Sequence, residues 1–208
     1  MKKIALVNVG FGNLGSVVNS ISRINLKPII VSNGDELFNY SPTHIVMPGV
    51  GAVGEAMIKL EKNQFIKPLE YFIRKKIYFC GICVGMQILA NTSEEFGITK
   101  CLGWVPGEVK KLNTNKIKLP HMDWNTIYKT RRASSLLDNI YEKDMYFCHT
   151  FAFNCAKEYV IAETNYEQNF VSAINKENIY GIQCHPEKSL KLGDIFFKNF
   201  LSLGENNI

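Results

Sequence analysis

No stretch of this chain approaches the roughly 18 consecutive apolar residues of a membrane-spanning helix. The opening Met1-Lys-Lys-Ile-Ala-Leu-Val7 loses its apolar character at Asn8, Gly10 and Gly12, before any signal-peptide cleavage site. Basic residues run no longer than Arg74-Lys75-Lys76, with the pairs Lys2-Lys3, Lys110-Lys111 and Arg131-Arg132 elsewhere, so a net charge of +5 marks no nucleic-acid face. Cysteine is sparse and unevenly placed, at 80, 83, 101, 148, 155 and 184, unlike the disulfide scaffold of a small secreted domain. A second C-x-x-C, which a zinc site would need, is missing. The expectation is a cytoplasmic chain with reduced thiols that enters no membrane, binds no nucleic acid and holds no metal or cofactor. Repeats, linkers and low-complexity tracts are also lacking. With 46% hydrophobic and 12% aromatic residues, the chain can bury a full core, and one domain over residues 1–208 is expected.

The first hundred residues alternate β-branched apolar runs with helical patterns. Strands are expected at Ile4–Val9, Pro28–Val31, His44–Met47 and Ile77–Cys80, with a helix at Leu14–Ile24 and a two-piece helix across Glu55–Lys76. That alternation predicts βαβ units and a parallel sheet. Beyond Cys101 the runs shorten and turns multiply, with strands expected at Glu108–Leu112, Lys116–Leu119, Met145–His149, Tyr159–Glu163, Phe170–Asn175 and Ile179–Cys184. A helix closes the chain over Ser189–Leu203. The fold class that follows is α/β, a central, mostly parallel sheet with helices on both faces and an antiparallel extension.

Gly10-Phe-Gly12-Asn-Leu-Gly15 spells the dinucleotide fingerprint G-x-G-x-x-G, and Asp35 lies about 20 residues on. The fingerprint needs its acid at the end of the second strand, whereas Asp35 falls beyond the turn signal Asn33-Gly34. A tight strand-to-helix turn explains these glycines better than a nicotinamide site does.

Ile77-Tyr-Phe-Cys80-Gly81-Ile-Cys83-Val-Gly85-Met-Gln87 is more informative. Cys83 stands between Gly81 and Gly85, after an apolar strand and before a helical run. This is the pattern of a nucleophile elbow with sulfur in place of oxygen, because side chains at the flanking positions would strike neighbouring backbone. A place before a helix favours the thiolate, and the N–H of Val84 is left free for a negative oxygen. The competing reading, a redox pair Cys80-x-x-Cys83, needs an exposed first cysteine, while Cys80 continues the apolar strand. A base and its orienter complete such a site. Of four histidines, His185 is followed by Pro186 and Glu187, and an extended backbone there would put His185 and Glu187 on one side.

Gly81-Ile-Cys-Val-Gly-Met-Gln87 and Gln183-Cys-His185-Pro-Glu187-Lys-Ser189 resemble the two signatures of class I, triad-type glutamine amidotransferases. Gly10-Phe-Gly-Asn13-Leu, Pro48-Gly-Val-Gly51, Ser93-Glu-Glu95, Pro120-His-Met-Asp-Trp-Asn125 and Tyr146-Phe-Cys-His149-Thr150 further resemble the glutaminase subunits of imidazole glycerol phosphate synthase in histidine biosynthesis. The resemblance runs from residue 4 to about residue 202. It implies that Cys83 attacks the carboxamide of L-glutamine, that His185 carries the proton and that Glu187 holds the imidazole. It implies an oxyanion site from the backbone at Val50, Gly51 and Val84, with the glycines at 49 and 51 free to reorient, and a glutamine pocket lined by Gln87, Glu95 and Thr150. Ammonia loses its nucleophilicity once protonated in water, so a consumer must be joined to the site. With no second domain expected after residue 208, that partner is a separate subunit. The resemblance implies a (β/α)₈-barrel cyclase, faced by Asn13, His121, Met122, Asp123 and Trp124. Departures from the family pattern are Asp123 and Leu190 where glycine is usual, Phe151 where an aromatic hydroxyl is frequent, and Asn8-Val9 before the first glycine. They keep open a paralogue that feeds ammonia to a sugar-modifying synthase in surface-polysaccharide assembly.

Overall fold

The computed structural model describes residues 2–10, 12–114 and 117–205. Phe11, in the glycine-rich motif, and Lys116, expected to open a strand, lie outside them. In chain order the regular elements are β1 (Ile4–Val7), α1 (Leu14–Arg23), β2 (Ile29–Val31), α2 (Gly34–Tyr40), β3 (His44–Gly49), α3 (Val53–Lys62), α4 (Ile66–Arg74), β4 (Tyr78–Cys83), α5 (Val84–Gln87), β5 (Thr92–Ser93), β6 (Thr99–Lys100) and β7 (Gly107–Lys111). There follow β8 (His121–Thr126), β9 (Tyr128–Lys129), β10 (Asp144–His149), β11 (Phe151–Cys155), β12 (Val160–Tyr166), β13 (Gln168–Lys176), β14 (Ile179–Ile182) and α6 (Leu190–Leu201).

The main sheet runs β2-β1-β3-β4-β14-β13-β11-β7-β5-β6, with β12 and β9 attached at β13. Its first five strands are parallel, and the pairings β14–β13, β13–β11 and β11–β7 are antiparallel. The expected parallel core with an antiparallel extension is what forms. β1 is buried at every position and β3 likewise, as strands covered on both faces must be. Among the described residues no helix is long and apolar enough to cross a membrane.

Three expectations are corrected. Asn33-Gly34 opens α2 rather than a turn. The Asn33 carboxamide oxygen accepts from the Glu36 N–H at 2.9 Å, and the Glu36 carboxylate reaches back to the N–H of Ser32 at 2.7 Å. This is reciprocal N-terminal capping. Gly34 is required there because a Cβ would stand 2.0 Å from the Gln64 carbonyl oxygen. Residues 117–120 form no strand; the strand begins at His121 and pairs with β10 in a separate two-stranded sheet, His121 opposite His149 and Thr126 opposite Asp144. The segment after His185 is a 3-10 turn over Pro186–Lys188, not extended chain.

Candidate active site

Strands β4 and β14 are parallel neighbours in register, Ile82 beside Ile182, so the chain leaves both at the same edge of the sheet. That is the reason residues 83 and 185 meet, at the carboxyl ends of parallel strands where α/β sheets place their ligands. β4 ends at Cys83 with φ +54° and ψ −111°, a conformation that side-chain-bearing residues rarely adopt, and Val84 opens a single helical turn. A Cβ on Gly81 would lie 2.0 Å from the Gly85 carbonyl oxygen, and one on Gly85 would lie 2.0 Å from that of Met47. The elbow expected from the spacing therefore has a steric cause at both flanks.

His185 is buried and its Nδ1 lies 2.8 Å from Glu187 Oε1, both side chains being 2% exposed. The pairing expected of these two residues is present, produced by the 3-10 turn instead of a strand. Ser189 locks that turn to β10: its hydroxyl donates to the His185 carbonyl at 2.7 Å and accepts from the Tyr146 N–H at 3.0 Å, while the His185 N–H donates to the Tyr146 carbonyl at 2.8 Å. Burial alone would lower the His185 pKa. The facing Cys83 sulfur and the Glu187 carboxylate more than reverse this and raise it to about 10. A sulfur facing an imidazole that a buried carboxylate holds from the other side is an arrangement that can move one proton between sulfur, ring and substrate.

A cavity of about 210 Å³ opens on the sulfur and is lined by Val50, Gly51, Cys83, Val84, Gln87, Glu95, Thr150 and His185; with Glu187 behind His185, the fold gathers every residue expected in the triad, oxyanion and substrate groups. A larger hollow of about 380 Å³ lies beside Lys110 and Lys157, and among the described residues no histidine lines it. Val84 opens its helical turn and its N–H has no acceptor within that turn. The glycines at 49 and 51 differ. Gly49 pairs with Cys83, and a Cβ on it would meet Val84 Cβ at 2.9 Å, so it permits a close approach. Gly51, at φ +94° with nothing within 4 Å of a Cβ, is the one with room to move. Glu95 is tied down as well as facing the cavity, since its Oε2 accepts from the Val53 N–H at 2.8 Å.

Cys148, His149 and Lys188 also line the cavity. None of them was expected there, although the first two sit inside the Tyr146–Thr150 motif and Lys188 inside the one around His185. Lys188 Nζ stands 5.4 Å over the Tyr146 ring. His149 Nδ1 donates to the Phe151 carbonyl at 2.9 Å, and its Nε2 is 3.2 Å from His121 Nδ1. Because a carbonyl can only accept, His149 is protonated on Nδ1, and its Nε2 accepts from His121. Burial drives both imidazoles toward the neutral form, His121 to a pKa of about 4 and His149 to about 3.

On the face expected to meet a partner, Met122, Asp123 and Trp124 are exposed along β8, and Asp123 Oδ1 accepts from the Trp124 N–H at 2.8 Å. Asn13 is exposed and caps α1 through Ser16. His121 is a correction: it is fully buried, stacked between the rings of Phe147 and Tyr166, and cannot touch a partner directly. Cys80 is fully buried and its thiol is pushed far up by desolvation, which leaves no exposed redox pair. Asp35 lies in the first turn of α2, not at the end of β2 where a dinucleotide ribose would need it.

The family model of glutamine amidotransferase class-I matches residues 5–203. The chain is 38% identical to imidazole glycerol phosphate synthase subunit HisH 2 of Vibrio vulnificus, covering 96% of this chain and 94% of that one. It is 40% identical to the HisH subunit of Leptospira borgpetersenii, covering 96% and 100%. Among solved structures, the fold is shared with the PurLQS structure of Thermotoga maritima, at a TM-score of 0.73 and 15% identity over 97% of this chain and 99% of that one. A crystal structure of a glutamine amidotransferase gives 0.72 at 12% identity over 96% and 97%. The chain belongs to the class-I glutamine amidotransferase family, among the relatives of the HisH subunits of imidazole glycerol phosphate synthase.

Proposed function

We propose that this chain hydrolyses L-glutamine to glutamate and ammonia and passes the ammonia to a separate cyclase subunit in histidine biosynthesis. The observation that carries the reading is the convergence of Cys83, His185 and Glu187 on one small cavity. The Cys83 thiolate attacks the carboxamide carbon, and the charge gathering on its oxygen is met by the N–H of Val84 and by the backbone at Val50 and Gly51. His185 gives its proton to the nitrogen as the C–N bond breaks, leaving a thioester and ammonia. Water, deprotonated by His185, then attacks the thioester, and the C–S bond breaks to give glutamate and the resting thiolate. Glu187 holds the imidazole through both steps. Gln87, Glu95 and Thr150 orient the amino-acid end of the substrate.

The partner is of (β/α)₈-barrel type and docks on the exposed Met122, Asp123 and Trp124, with Asn13 at the rim. Support comes from the names of the relatives and from the position of Pro120, which precedes β8 and lines the cavity. The six unpaired cysteines suit a reducing, cytoplasmic setting. Mixing the chain with the barrel cyclase of the same organism, its phosphoribulosyl aminoimidazole substrate and glutamine tests the reading. Glutamate should appear in step with substrate loss; no glutamate in any mixture would overturn it.

A further inference from the structure

Gln183 sits between the end of β14 and the His185 turn, fully buried. A buried primary amide is costly unless its atoms are partnered, and here the partners dictate which way it faces. The Phe151 carbonyl can only accept, so Gln87 turns its Nε2 toward it, at 2.8 Å. The second N–H of that nitrogen meets Gln183 Oε1 at 3.0 Å. Gln183 therefore presents its own Nε2 to the Cys83 sulfur, at 3.6 Å. The orientation is set two links away by a backbone oxygen.

We infer that Gln183 is a further catalytic residue: its carboxamide N–H carries negative charge on the Cys83 sulfur, in the resting thiolate and again as the thioester collapses. The inference rests on Cys83 being the nucleophile. Two observations separate this role from substrate binding. Gln183 is absent from the cavity lining, so it touches the sulfur from behind. The sulfur also meets the carbonyl of Cys148 at 3.9 Å, an acceptor that suits a thiol and repels a thiolate. The Gln183 donor offsets that repulsion where the short α5, a single helical turn, contributes little.

The test uses the full chain, with and without its barrel partner, as wild type, Gln183→Met and Gln183→Asn. The first removes the donor at similar volume. The second keeps an amide in the site but withdraws it from the sulfur by one methylene. The readouts are the rate at which iodoacetamide alkylates Cys83 at pH 7, followed by mass spectrometry of its peptide, and kcat and KM for glutamine. A hydrogen bond to a charged group predicts alkylation slower by about 10-fold or more, with kcat falling in parallel and KM changing by less than about 2-fold. A folded variant of either kind that alkylates at the wild-type rate, or faster because the pocket has loosened, would overturn the inference. Should Gln183→Met fail to fold, Gln183→Asn decides alone. A wild-type Cys83 no more reactive than the half-buried Cys148 would overturn the nucleophile assignment itself, and this role with it.

Discussion

The Glu95 carboxylate takes a hydrogen bond from the Val53 N–H at 2.8 Å, joining the loop after β5 to the first residue of α3. Ala52, at the N-cap of that helix, has no side chain to do this. Two residues before Val53 lies Gly51, so the same contact steadies the backbone facing the sulfur. Glu95→Ala should lose about 1 kcal/mol of stability, as for other lost caps. Glu95→Gln keeps an acceptor and should stay near wild type, while both raise KM for glutamine. Urea titrations with steady-state kinetics check this, and equal stabilities for Glu95→Ala and wild type would contradict it.

Leu190 and Gly193 should respond in opposite directions. Leu190 begins α6 at φ +52° and is 72% exposed, so its side chain holds a left-handed backbone with little packing in return. That conformation costs roughly 1–2 kcal/mol for an L-residue, and Leu190→Gly should raise the melting temperature or leave it unchanged after glycine's entropy is counted. A Cβ on Gly193 would stand 1.8 Å from the Pro186 carbonyl oxygen. Gly193→Ala must push α6 off the His185 turn, and thermal melts with glutamine turnover should show both stability and activity falling. An active, fully stable Gly193→Ala would refute the packing described.

Acid should destabilise the fold before any carboxylate titrates. Burial lowers His44 to a pKa of about 4, His121 to about 4 and His149 to about 3, while the unfolded chain binds protons at about 6.5. Below pH 6.5 the unfolded state therefore takes up protons that the folded state refuses, and stability falls as pH drops toward 4. His185 has the opposite sign. Raised to about 10, it contributes stability that is complete below pH 6.5 and is lost as pH rises through 10. Urea midpoints at pH 7, 6 and 5 should fall in that order, and less steeply for His44→Phe, which keeps a ring between Tyr78 and Phe200. A midpoint independent of pH over this range would rule the explanation out.

His185→Ala and Glu187→Gln should not be equivalent. Removing the proton carrier should cost several orders of magnitude in kcat. The glutamine variant still offers an oxygen to His185 Nδ1 and should lose less, since an orienting carboxylate typically costs tens of fold less than the base it orients. Glu187 Oε2 has no hydrogen-bond partner among the described residues, so the substitution breaks no second contact. Wild-type rates for Glu187→Gln, measured with the partner present, would remove Glu187 from the mechanism.

The parallel core and the elbow were legible because each rests on local chemistry. β3 and β4 are short apolar runs, and Gly81 and Gly85 are glycine for steric reasons visible in the spacing. What escaped depends on partners far along the chain. The strand at His121–Thr126 carries three exposed residues and no clean alternation, and it is a strand through its pairing with β10. Asn33-Gly34 reads locally as a turn until Glu36 is seen to return the cap. For His185 and Glu187 the contact is the expected one and the backbone is not, since only His185 is extended and a 3-10 turn starts at Pro186. Gln183 carried no local signal beyond its place in a motif. Its orientation is decided by Gln87 and Phe151, which lie on other elements.

Glutamate release by Cys83→Ala, measured in the complex with the barrel cyclase, tests the central assignment most directly. The variant should form no glutamate, while the cyclase in the same mixture still converts its substrate when ammonium salt is supplied, because its own site is untouched. Glutamine-dependent glutamate formation by Cys83→Ala at a rate near wild type would contradict the assignment of Cys83 as the nucleophile.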